Sequence, residues 1–579
     1  MKKNLFRPLM RVVPFVLLGI ATLSCEETFD IKPETALDKD QTYQNVFDAD
    51  AAVIGVYGKF MNLAEQYVVL NELRGDLLNV TENASANPDL IQINNHSVDA
   101  TNKYADPRPF YEVIINCNDV LANFDKMVQE NKMEQAEYAQ RYSDVGALRS
   151  WVYYQLGIHF GRVPYVTDPL ATVEDLKDQS KFPVLELDQL LDELIGFTEA
   201  LPYMQPYPQS ASLMATTDGY NTQKFFINKH LLLGDLHLWK GNYTQAATHY
   251  KAVMETGTTD SNLDNYYGQY RVAWGYPFSH EDGFTGSQSR NWNFEFIWDL
   301  PFNKNFNPKN PFVDLFSNNV GAYLLKPSES IIDKWNAETR LDNTPIDPRF
   351  YAAVEYIAGK PVVQKYLENI NPLLPREAPG NWFLARASLV HLRFAEAANR
   401  DGKHKVAYAL LNDGIRATYD PTWNPITRPS LSINKDVTDI QRTLDAAPYD
   451  FDGRQGDFPN YRGPWYRNTG IRGRIGVRTN QIDSTAYYDL SIRSAPVLTD
   501  QNGLVTHIED KIIEEAALEL AFEGNRWPDL LRIAIRRNDP AFLADRVYEK
   551  LQKAGNPQAS AVRSKLMNKE NWFLPFRWE

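Results

Sequence analysis

Nine histidines, 74 carboxylates and two cysteines are the residues of this 579-residue chain that could move protons, hold a metal or attack as nucleophiles. Their spacing organises none of these chemistries. There is no His-Glu-x-x-His helix and no histidine pair at metal-ligand spacing. His230 and His237 fall where a helix interface is expected, so they read as core histidines with satisfied nitrogens. No Gly-x-Ser-x-Gly elbow or Walker-type phosphate loop occurs. Gly470-x-x-Gly473-x-x-Gly476 follows no clear strand and is not a dinucleotide fingerprint. The carboxylates of a glycosidase meet only in the fold, so their number assigns no hydrolase. The expectation is a protein with no catalytic residue, no metal and no cofactor.

Aromatic side chains beside polar ones offer recognition without reaction. Residues 260–330 carry Tyr266, Tyr267, Trp274, Tyr276, Trp292, Trp298, Phe302, Phe306 and Tyr323 among many Asn and Gly. An exposed ring matches the C–H face of a sugar while Asn, Asp and Arg bond its hydroxyls. The competing use of most of these rings is to pin the insertion to the body. A second run, Tyr461, Arg462, Trp465, Tyr466, Arg467, Arg472, Arg474 and Arg478, could stack on single-stranded nucleic acid. The net charge of −14 opposes that reading, and pairing of the arginines with carboxylates inside a long loop fits better.

The elements that must position these residues are mostly helical. Leu233-Gly234-x-x-His237, Gly241, Ala246 and Tyr250 form one helix pair near 223–257; Phe394-Ala395-x-x-Ala398, Gly402, Ala407 and Leu411 form another near 383–417. Both follow the tetratricopeptide pattern, in which small residues let two antiparallel helices approach closely. The two turns, Gly241 and Gly402, are not separated by a multiple of the 34-residue period, so the pairs are split by insertions near 258–330 and 418–480. A third partial match runs from Ala516-Ala517 through Ala521 to Gly524. Phe294-Glu295-Phe296-Ile297-Trp298 alternates like a short strand. The fold class expected is therefore mostly α, tetratricopeptide-like helix pairs carrying loop-rich, aromatic-rich insertions with minor β.

Lys2, Lys3, Arg7 and Arg11 precede an apolar run from Val12 to Leu23 that ends at Ser24-Cys25. The run is too short to span a bilayer and reads as a secretory signal. It resembles a bacterial lipoprotein box, although Thr22 stands where Leu is usual and Leu23 lies beside it. The implied division is a signal over 1–24, lipidation at Cys25, a tether over 25–40 and one body over 41–579. Glu26-Glu27 and Asp30 resemble the signal for export to the outer face in Bacteroidetes lipoproteins. The remaining thiol, Cys117, sits among Val113, Ile114, Val120, Leu121 and Phe124 at helical spacing and is expected in the core.

Four segments carry a further pattern: Arg149-Ser150-Trp151-Val152-Tyr153-Tyr154 through Phe160-Gly161-Arg162-Val163-Pro164, Ala395-Glu396-Ala397-Ala398-Asn399, Asn571-x-x-Leu574-Pro575 and, most specifically, Glu519-Leu520-Ala521-Phe522-Glu523-Gly524-Asn525-Arg526-Trp527-x-Asp529-Leu530. Together they resemble the SusD/RagB family of Bacteroidetes surface lipoproteins. Read by themselves, Glu523, Arg526 and Asp529 are a structural charge cluster. The family's Arg-x-Arg element is matched by Arg472-x-Arg474-Ile475-Gly476, over fifty residues later than usual. The resemblance implies a lipid-anchored protein of the outer membrane's outer face. It would capture oligosaccharides and deliver them to a SusC-like TonB-dependent transporter; a RagB-like peptide binder or a tetratricopeptide adaptor for protein partners are the alternatives. It further implies ligand contacts at Asp76, Asn79, Asn83, Trp274, Tyr276, Trp292 and Tyr323, with Arg74 orienting Asp76.

Overall fold

Asn45 starts the first described helix, α1 (Val46–Phe60): its side-chain oxygen accepts from the Phe47 and Asp48 N–H groups, and Asp48 bonds back to the Asn45 N–H. The structure, a computed structural model, describes residues 42–99, 101–170, 175, 181–210, 212–254, 295–367, 372–419, 445–451, 470–491 and 497–576. Cys25, Trp274, Tyr276 and Trp292 lie outside the described residues.

Two long helices follow, α2 (Arg108–Gln129) and α3 (Gln135–Phe160). From Ser143 onward every residue of α3 is buried, so this helix is surrounded by others and shows no single apolar stripe. Cys117 of α2 is buried as expected, and burial pushes its thiol up to about 12. The chain continues through α4 (Leu187–Glu199) into the first anticipated pair, α5 (Lys229–Lys240) and α6 (Tyr243–Met254). A Cβ on Gly234 would stand 2.5 Å from the Tyr250 ring, so only glycine admits this crossing. The ring cannot retreat easily, because Tyr250 donates to Asp235 Oδ1 at 2.7 Å. Gly234→Val is expected to cost about 1–3 kcal/mol by overpacking, read as a lowered urea midpoint at unchanged slope.

After α7 (Glu329–Ala337), the second pair is α8 (Ala387–Arg400) with α9 (His404–Leu411), and Ala395 and Ala407 are both fully buried. The third partial match forms α10 (Gln501–Glu519) and α11 (Arg526–Arg537), with α12 (Pro540–Lys553) and α13 (Ala559–Leu566) closing the body. Between α10 and α11, Gly524 takes a left-handed φ of 85°, and a Cβ there would lie 2.1 Å from the Tyr67 ring.

Strands are short. The six ladders among the described residues are two-stranded and antiparallel. Three matter here: β1 (Leu78–Val80) with β3 (Leu325–Pro327), β2 (Phe296–Phe302) with β6 (Gly380–Arg386), and the hairpin β4 (Val354–Ile357) with β5 (Lys360–Val363). The strand anticipated near 294–298 is therefore present but longer, and it is buried along its whole length rather than on alternate residues. Trp298 leaves it to pack across Phe60, with ring centroids 5.6 Å apart, and against Trp151 at 5.2 Å; Trp382 of β6 lies 4.8 Å from Phe60. Trp298 thus pins the insertion to the body, while Phe302 packs on Phe312 within it, ring centroids 5.6 Å apart.

A buried ionic lattice joins the later segments. Arg386 bonds Glu295, Glu519 and Glu523, and Arg349 bonds Asp347, Glu515 and Glu519. Arg472 meets Glu515 at 2.6 Å and Arg474 meets Glu295 at 3.0 Å. These two arginines of the basic-aromatic run are loop fasteners; Tyr461, Arg462, Trp465, Tyr466 and Arg467 lie outside the described residues.

Candidate functional site

The Arg74-Gly75-Asp76 segment lies in the core, following a turn of residues Val69–Leu73. Asp76 is buried, and both of its oxygens are taken by Arg526, Nε donating to Oδ1 at 2.5 Å and Nη2 to Oδ2 at 2.9 Å. Burial pushes the Asp76 carboxyl upward, but the Arg526 charge and its hydrogen bonds outweigh that and hold it well below the usual range. Arg74 points elsewhere. Its guanidinium lies 4.0 Å over the Trp527 ring and donates to the Trp572 carbonyl at 2.5 Å. Arg74 therefore does not orient Asp76; Arg526 does, and neither Arg74 nor Asp76 stands on an exposed surface. Glu72 explains the rest of the C-terminal block. Its carboxyl accepts from the backbone N–H groups of Gly524 at 2.6 Å and Asn525 at 2.9 Å, fixing that turn to the early chain. Glu523 and Asp529 are likewise buried, bonded to Arg386 and Arg532, so the charges of this block are structural.

The β1–β3 ladder brings Asn79, Asn83 and Tyr323 into one neighbourhood. Asn79 faces Lys326 in the register and donates to Glu329 at 3.1 Å. It borders a cavity of about 340 Å³ with Asn94, Asn95, Asn556 and Gln558. Arg74 borders a different cavity of about 820 Å³, with Trp239, Trp572 and Lys565. The candidates thus do not converge on a single pocket. Asn83 is exposed and donates to the Ala322 carbonyl at 3.0 Å. Tyr323 is buried, contrary to the expectation of a ligand-facing ring. Its main-chain carbonyl accepts from Thr81 Oγ1 at 2.5 Å and its hydroxyl donates to the Pro361 carbonyl at 2.7 Å. Burial, then the nearby Glu82 and Tyr356, raise this phenol to about 12, so it remains a hydrogen-bond donor at neutral pH.

What Tyr323 supports is the β4–β5 hairpin, because Pro361 is the register partner of Tyr356. Tyr356 is 54% exposed and Tyr351 48% exposed, and both rings contact Phe350, at centroid distances of 6.3 and 5.3 Å. Tyr323 bonds the hairpin through Pro361 and its neighbour Ala322 bonds the exposed Asn83, so the half-exposed rings, exposed Lys360 and Asn83 belong to one linked surface segment, the rim. Such a surface binds flat apolar faces edged by hydroxyls. Sequence reasoning missed these tyrosines. Their hairpin turns at Ala358-Gly359, where both residues take positive φ, 51° and 75°, and only Gly359 marks that turn in the sequence.

No family model and no curated protein matches the chain. Solved structures do. A SusD superfamily protein from Bacteroides vulgatus superposes with a TM-score of 0.57 at 14% identity, over 92% of this chain and 96% of its own. A SusD-like carbohydrate binding protein from Bacteroides fragilis gives 0.55 at 15%, over 86% and 88%. A laminarin binding SusD-like protein gives 0.50 at 17%, over 88% and 98%. The chain has the SusD-like fold.

Proposed function

We propose that this protein is a non-catalytic receptor that captures an oligosaccharide at the tyrosine-bearing rim and passes it unchanged to a SusC-like TonB-dependent transporter. The observation that carries the reading is the pair of half-exposed tyrosines, Tyr351 and Tyr356, at a hairpin that Tyr323 links to the Asn83 segment on a SusD-like scaffold. Tyr356 would stack on a pyranose face; Asn83 and Lys360 would bond ring hydroxyls. Trp274, Tyr276 and Trp292 are further contacts in this reading, carried by the insertion between α6 and β2. Asn79 would contribute from its own polar cavity, while Arg74 and Asp76 keep the scaffold in place. Acylation of Cys25 would hold the receptor at the outer face of the outer membrane, with Glu26-Glu27 directing export. Support comes from a fold whose relatives include proteins described as carbohydrate binding and laminarin binding.

Calorimetry of the purified chain against an oligosaccharide panel that includes laminarin fragments tests this. Tyr356→Ala should weaken binding about tenfold, ~1.4 kcal/mol, with no change in melting temperature because the ring is exposed. Trp274→Ala combined with Trp292→Ala should weaken it too. Unchanged affinity in both variants would remove the rim as the site, and cleavage of any panel member would remove the non-catalytic reading.

A further inference from the structure

Three consecutive helices of the first tetratricopeptide-like pair and its neighbour bring imidazoles together. His230 and His237 lie seven residues apart on α5, two turns along one face. His249 faces them from α6, and Glu199 is the last residue of α4. Glu199, His237 and His249 each offer a ligand atom, and these atoms all lie within 4.8 Å of one another. The His237 and His249 rings are parallel to within 7°, with centroids 5.5 Å apart. Nothing in the sequence spacing joins these residues; the helix packing does.

The outer contacts decide which lone pairs face the cluster. His230 Nδ1 lies 3.0 Å from His249 Nδ1, so one ring donates and the other accepts. With His249 as donor, its Nε2 carries a lone pair. Asn242 Nδ2 lies 3.3 Å from His237 Nδ1; turning that amide over puts its oxygen there instead, to accept a hydrogen bond from Nδ1 when a metal arrives. In that orientation the lone pair of His237 is on Nε2, which faces Glu199 Oε1 at 3.2 Å. A second hydrogen bond on the far nitrogen is how a ligating histidine is held in its working tautomer. A four-coordinate ion would hold these atoms at about 2.0–2.2 Å. Glu199, with its side chain 51% exposed, is free to close the remaining gap.

We propose that Glu199, His237 and His249 bind one divalent late-transition-metal ion of the zinc class, with His230 positioning His249 from behind. Two imidazoles and one carboxylate suit zinc, cobalt or nickel; calcium and magnesium require oxygen-rich shells. The fourth position opens toward solvent beside Glu199, where water would complete the shell. The ion would tie α4 to α5 and α6. The proposal stands apart from the oligosaccharide reading, since it uses no residue of the rim.

The test is titration of the untagged full-length chain with Zn²⁺, followed by calorimetry, and with Co²⁺, followed by visible absorption. One saturable site is expected, with the intense d–d bands of four-coordinate cobalt and a zinc-dependent rise in melting temperature. His237→Ala and His249→Ala should abolish all three signals. Glu199→Gln and His230→Phe should weaken binding about 10–100-fold; because Glu199 is exposed, its variant keeps the fold intact. Absence of saturable zinc uptake, or uptake unchanged in Glu199→Gln and His249→Ala, would overturn the site.

Discussion

Asp76→Ala is expected to lower the unfolding free energy by about 3–5 kcal/mol, because it leaves the Arg526 guanidinium buried without its partner. The magnitude follows from the closure of the pair. Asp76 and Arg526 are each about 2% exposed, the two bonds are parallel and charge-assisted, and the third donor, Arg526 Nη1, is already used on the Ile513 carbonyl at 2.9 Å. The nearest alternative carboxylate is Glu514, 3.7 Å from Nη2, and it is engaged with Lys334 and Arg546. Asp76→Asn keeps the shape but not the charge and should recover only part of the loss. The double variant Asp76→Leu/Arg526→Met removes both charges and should be much closer to wild type than Asp76→Ala. Urea unfolding of the four proteins measures this. A loss below about 1 kcal/mol for Asp76→Ala, the range of exposed pairs, would mean that the bond does not organise the core as described.

That experiment also bears on what could be read from the chain alone. The helix pairs were legible because their contacts are local: Gly234 and Tyr250 are sixteen positions apart, and the small-against-large rule is written directly in the sequence. The charge block after α10 was legible as structural but not in its partners. Arg526 reaches back 450 positions to Asp76, a distance no local pattern encodes. The attraction of an Arg-x-Asp motif is that its two charges look made for each other. On the folded backbone Arg74 turns to Trp527 and Trp572, and the arginine that holds Asp76 comes from the other end of the chain. β2 was found but misjudged, since a strand enclosed on both faces loses the alternation that a half-buried strand shows. The β4–β5 hairpin went unread for a related reason. Its loop puts an alanine, Ala358, at a positive φ that usually calls for Asn, Asp or Gly, so the strongest hairpin signal was absent. The histidine cluster shows the same limit, with His230 and His237 visibly on one face and His249 and Glu199 supplied by packing.

Acid should unfold this protein over a defined window, and Glu396 should be a principal cause. Glu396 sits in the Ala-Glu-Ala-x-Asn helix, accepting from Arg532 Nε at 2.9 Å, Arg532 Nη2 at 2.6 Å and Arg536 Nη1 at 2.6 Å. Burial pushes its carboxyl upward, but the two arginines outweigh burial and hold it at about 2, against 4.5 for an ordinary glutamate. Between those values the folded state binds fewer protons than the unfolded chain, so stability is complete above about pH 4.5 and falls as pH drops toward 2. The gap corresponds to ~3 kcal/mol for this group. Glu514 is held at about 2 in the same sense, burial being outweighed by Arg526, Lys334 and Arg546, and it adds to the loss in the same window. Two groups act at higher pH and in opposite directions. Burial raises Glu72 to about 8, so its contribution declines as pH rises from 4.5 to 8; burial lowers Lys550 to about 7, so the cost of its buried charge is relieved only above pH 7. Neither changes across the acid window, where the carboxyls held low by arginines, Asp76 among them, carry the loss. Urea midpoints of wild type and Glu396→Gln, measured from pH 6 to pH 2, distinguish the cause from generic acid damage. Glutamine keeps the shape and cannot ionise, so the variant should be the weaker protein at pH 6, lose less on acidification and converge on wild type near pH 2. Parallel curves, with the difference constant across the window, would mean that the Glu396 carboxylate is not held by Arg532 and Arg536 in the folded state.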